Sequence, residues 1–130
     1  ADLIVCAPCC QHELHQRIVR PEFRAVLRHG ILRERLADTL TDALRAAALR
    51  VAGYQAEVIE FIDPEHTAKN LMIRAERAPN LPRVDAAAEY LRLRDFWRVQ
   101  PSIEMLLEDE MEEWLAGASP GEAAPGKAGA

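Results

Sequence analysis

One stripe of apolar residues limits the folds open to this chain. Leu32, Leu36, Leu40, Leu44, Ala48 and Val51 recur at three- and four-residue spacing, on one face of a helix that begins at Ile31. Arg35/Asp38 and Asp42/Arg45 stand three apart on the other side, where opposite charges support a helix. Gly53 follows at the position where a glycine ends one. The stripe reads as core against a sheet rather than as a binding surface, and strand-like segments lie on both sides of the helix.

The first of those segments is Leu3–Ala7, an apolar run stopped by Pro8 that fits a buried strand of a parallel sheet. Directly after it come Cys9, Cys10, His12 and His15, where open α/β sheets place their chemistry. The strand starts at once, with nothing upstream to pair with, as though the chain began in the middle of a fold. Gln11–Arg20 has helical composition, Pro21 interrupts it, Glu22–Leu27 makes a second short turn, and His29-Gly30 marks a break.

Beyond the helix, Tyr54–Ile62 alternates in the manner of a strand, and Asp63-Pro64-Glu65-His66-Thr67 is turn chemistry. Asn70–Glu76 reads as another strand, and the short connection makes the pair an antiparallel hairpin. Val84–Gln100 and Ser102–Ala116 read as helices, with Trp97 and Trp114 as packing anchors. Gly117–Ala130 has little to bury and is expected to be disordered.

Charge is uneven. Residues 1–83 carry 12 Lys/Arg against 11 Asp/Glu, and residues 84–130 carry 4 against 10. The acidity gathers at Glu108–Glu113, a solvated helix face, and argues against nonspecific nucleic-acid binding by that part. No apolar run approaches the about 18 residues of a membrane span, so no membrane partner is expected. The start of the chain lacks the basic region and long apolar core of a signal peptide. Three cysteines within five positions make no disulfide framework, and a reducing cytoplasm is the expected setting.

The order strand, helix, strand, strand is similar to the closing half of a class I S-adenosylmethionine-dependent methyltransferase, whose sheet ends with an antiparallel final strand. More narrowly, Ala7–Leu14, Leu27–Leu32 and Glu65–Leu71 resemble the methyltransferase-domain family with a Pro-Cys-Cys-x-His motif. The likeness covers residues 1–77, with a weaker echo at Phe96–Pro101. It implies an α/β fold: the C-terminal part of a Rossmann-like seven-stranded sheet over residues 1–83, a helical extension over 84–116, and the tail over 117–130.

The family's Gly-rich loop after the first strand and its acidic residue after the second have no counterpart here. Residues 1–77 hold Gly30 and Gly53 and no G-x-G. Leu3–Ala7 is then the fifth strand of the family sheet, most of the S-adenosylmethionine pocket lies outside these residues, and the chain alone neither binds the cofactor nor turns over.

In the family fold the end of this strand borders the active cleft. That makes Pro8, Cys9, Cys10 and His12 part of the substrate-side wall, with His12 a candidate proton acceptor and Cys10 a second catalytic candidate. The same residues also suit small buried thiols and a helix-start histidine capping nearby groups. His66, Thr67, Lys69 and Asn70 lie on the cleft rim in that fold and are candidates for substrate contact; residues of these types also satisfy backbone groups in turns.

A zinc reading uses Cys6, Cys9, Cys10 and His12, with His15 nearby, but adjacent thiols strain one tetrahedron and no second ligand pair follows. The methyl acceptor is unidentified, RNA by analogy with related Cys-Cys-His methyltransferases, or protein. The alternative class is a noncatalytic module that pairs, with itself or a partner, through the open edge of its first strand.

Overall fold

The structure, a computed structural model, describes residues 1–7, 14–61 and 70–116. Its elements in chain order are β1 (Leu3–Cys6), a 3-10 turn (Pro21–Phe23), α1 (Arg24–Leu27), α2 (Gly30–Val51), β2 (Tyr54–Phe61), β3 (Asn70–Arg77), α3 (Arg83–Trp97), α4 (Ser102–Leu106) and α5 (Glu108–Leu115). Three strands form one sheet in the order β1-β3-β2, with β3 antiparallel to both neighbours. β1 and β2 therefore run in the same direction, and the expected hairpin of the last two strands is present.

α2 carries the predicted stripe. Leu40, Leu44, Ala48 and Val51 are buried and Leu36 is half-buried, while Leu32 is 40% exposed. The stripe outruns its cover: 22 helical residues span about 33 Å, against about 26 Å for the eight-residue strand β2. Asp42 and Arg45 pair at 3.4 Å as their spacing predicts. Gly53 ends the helix at φ +100°, where an L side chain is strained, and its carbonyl accepts from the Ala78 amide at 2.9 Å. That bond ties the start of β2 to the end of β3.

Register decides which side of the sheet is covered. Ile73 faces Cys6 and Val58 across the strands, and Ala75 faces Ile4 and Ala56. Ile73 and Ala75 are fully buried on this side, and α2 is the helix that packs on β2 and β3. The alternate residues Leu3 and Val5, each 54% exposed, point the other way. α3 packs on α2 through Ala86 and Ala87, whose small side chains let the helices approach, and α5 adds Met111 to the same core.

Four sequence expectations are corrected. Leu3–Ala7 is not a buried strand of a parallel sheet: β1 is an edge strand, paired antiparallel to β3, with no helix over Leu3 and Val5 among the described residues. Gln11–Arg20 is not α-helical over its described part. Leu14–Arg17 make one turn, and the chain extends by Arg20 (φ −143°, ψ 121°), as the residue before a proline prefers. Leu14 and Ile18 are fully buried and pin this turn to the core.

The third correction concerns Val84–Gln100, which stops at Trp97 because Arg98 takes a left-handed conformation (φ 53°) and the Val99 amide returns to the Arg94 carbonyl. The fourth is Ser102–Ala116, which breaks at Leu107 (φ −117°, ψ 37°) into α4 and α5. The break places Glu108, Asp109 and Glu110 in the first turn of α5, where the helix dipole favours negative charge. Trp97 is buried and packs edge-on against Phe23 (4.8 Å) and Phe96 (5.3 Å); Trp114 is half-buried against the core. Both are anchors, as read from the sequence, and Glu108–Glu113 are exposed apart from Met111.

The tail, residues 117–130, the helix start at 11–13 and the turn at Asp63–Thr67 lie outside the described residues. Among the described residues no helix is long and apolar enough to cross a membrane.

Candidate functional site

Strand direction brings distant parts of the chain to one end of the sheet. β1 finishes at Cys6, opposite Ile73 midway along β3, and β2 runs on to Phe61, opposite Asn70 at the start of β3. Both strands therefore finish toward the same end of the sheet. α2 closes onto the start of β2 through Ala52 and Gly53 and lies along β2, so its amino end, His29-Gly30, reaches this end too. The described residues of the three segments singled out in the sequence lie toward that end.

Arg33, in the first turns of α2, fastens this end. Its Nε donates to the Leu27 carbonyl at 3.2 Å and its Nη1 to the His15 carbonyl at 3.2 Å. One guanidinium thus joins the segment after β1, the end of α1 and the amino end of α2. The fork suits the task, because its donors are held in one plane and lose little freedom on bonding. His29 caps α2 with its carbonyl, which accepts from the Arg33 amide at 2.9 Å, and its side chain makes no cap bond and is exposed.

Of the site residues expected from the sequence, Pro8, Cys9, Cys10 and His12 lie outside the described residues, as do His66, Thr67 and Lys69. Asn70 opens β3. Cys6 is a free, exposed thiol at the end of β1, and His15 is half-buried. Among the described residues no three His, Cys, Asp or Glu side chains gather as a metal site, and three members of the zinc alternative, Cys9, Cys10 and His12, fall outside them.

Holding S-adenosylmethionine needs a close backbone approach, which the glycines of the described residues do not supply. Gly53 turns the chain at the opposite end of the sheet, and nothing lies within 4 Å of where a Cβ on Gly30 would sit, so neither glycine forms a tight cradle for a cofactor.

Sequence reasoning missed Arg33, which sits on the polar side of the stripe and looks like any solvated arginine. It also missed the company Arg33 keeps. Six arginines stand between residues 17 and 35 against two glutamates, a local excess hidden by the near-neutral charge of residues 1–83. No protein-family model, curated protein or solved structure matches the chain.

Proposed function

We propose that these residues are the closing half of a class I S-adenosylmethionine-dependent methyltransferase domain, supplying the substrate-side wall of its cleft. The observation that carries the reading is that the described residues of the segments with the resemblance, Ala7 and Leu14, Leu27–Leu32, and Asn70 and Leu71, lie toward one end of the sheet. Open α/β sheets bind their ligands at the carboxyl ends of their parallel strands, and β1 and β2 both finish there. The topology adds support, because β3 is last in chain order and runs against two strands that are parallel to each other.

In this reading His12 accepts or orients a proton of the methyl acceptor and Cys9 and Cys10 shape the wall beside it. His66, Thr67, Lys69 and Asn70 hold the acceptor from the rim. The cofactor's own contacts belong to residues outside these 130. Translating the coding DNA on the 5′ side of the Ala1 codon tests this. The expected result is a strand, a Gly-rich loop and a helix, followed by a second strand ending in Asp or Glu. An unrelated domain there, or an in-frame stop, overturns it.

A second reading rests on β1. Its outer backbone edge has no strand beside it among the described residues, and Leu3 and Val5 are exposed. An open edge of this kind pairs readily with another chain. Concentration-dependent dimerisation of the 130-residue chain in sedimentation, abolished by Val5→Lys, is the result this reading requires.

A further inference from the structure

We draw no further inference here: the strongest candidate, the groove of about 510 Å³ between α3 and α5 walled by Glu104, Glu108 and Glu112, carries nothing, because Glu108 and Glu112 are exposed, Glu104 is already paired with Arg94, and nothing in the structure shows what covers it.

Discussion

Two side chains show how single residues hold this molecule together. Arg33 joins three segments through two backbone carbonyls, and removing it leaves those acceptors to water or to nothing. Hydrogen bonds from a charged donor contribute about 1.5–3 kcal/mol each way of counting, so Arg33→Ala should cost stability in that range, read from urea unfolding. Tyr90 works between helices. It is fully buried, its hydroxyl donates to Glu104 at 2.7 Å, and Arg94 holds the other Glu104 oxygen at 2.7 Å. Burial and the hydrogen bond to Glu104 push the Tyr90 hydroxyl far above its ordinary pKa of 10.0.

The sign of the consequence is fixed. The folded chain keeps this proton at pH values where the unfolded chain has released it, so the contribution is complete below pH 10 and shrinks as pH rises beyond it. Wild-type stability should therefore fall above pH 10 by about 1.4 kcal/mol per pH unit more steeply than that of Tyr90→Phe. Parallel slopes for the two proteins would refute the assignment. Neither role is visible in the sequence, where Arg33 is one arginine among many and Tyr90 one aromatic in a helix. His15 is 18 residues from Arg33 and Glu104 is 14 from Tyr90, and only the packed chain brings them near.

Elements were more legible than their ends. The α2 stripe, the β2–β3 hairpin and the helical extension follow from periodicity, because a repeat of 3.6 or 2 reports which side is covered. The boundaries follow from local backbone chemistry that periodicity does not register: Pro21 extends Arg20, Arg98 turns left-handed, and Leu107 breaks the last helix. The stripe itself misleads at Leu32, which keeps the spacing but lies on the overhanging first turn and is 40% exposed.

That contrast is measurable. Leu44→Ala, at a site 1% exposed, should cost about 2–5 kcal/mol by opening a cavity, and Leu32→Ala under about 1 kcal/mol. Gly53→Ala probes the turn into β2. A Cβ there meets nothing closer than Arg83 Nε at 3.9 Å, so the loss is conformational strain alone, about 1–2 kcal/mol. An unchanged melting temperature for Gly53→Ala would show that the turn relaxes.

At the scale of the whole molecule, a three-stranded sheet with one covered side meets a helical core built on α2, α3 and α5. In the proposed reading further strands join at the open β1 edge, and helices cover the sheet's uncovered side. The candidate site was legible as a set of motifs, since thiols and imidazoles directly after an apolar strand stand out in any sequence. Their meeting at one end was not, because it depends on β3 running against both neighbours. The arginine excess around Arg33 was hidden by averaging charge over residues 1–83.

In the proposed reading these residues form the substrate-side half of a methyltransferase domain whose cofactor contacts lie elsewhere. Calorimetric titration with S-adenosylmethionine tests it most directly, using the 130-residue chain beside the same chain extended through its preceding coding sequence. The expected result is no heat of binding for the chain alone and saturable binding for the extended protein. Saturable binding by the 130 residues alone, or its absence from both, would contradict it.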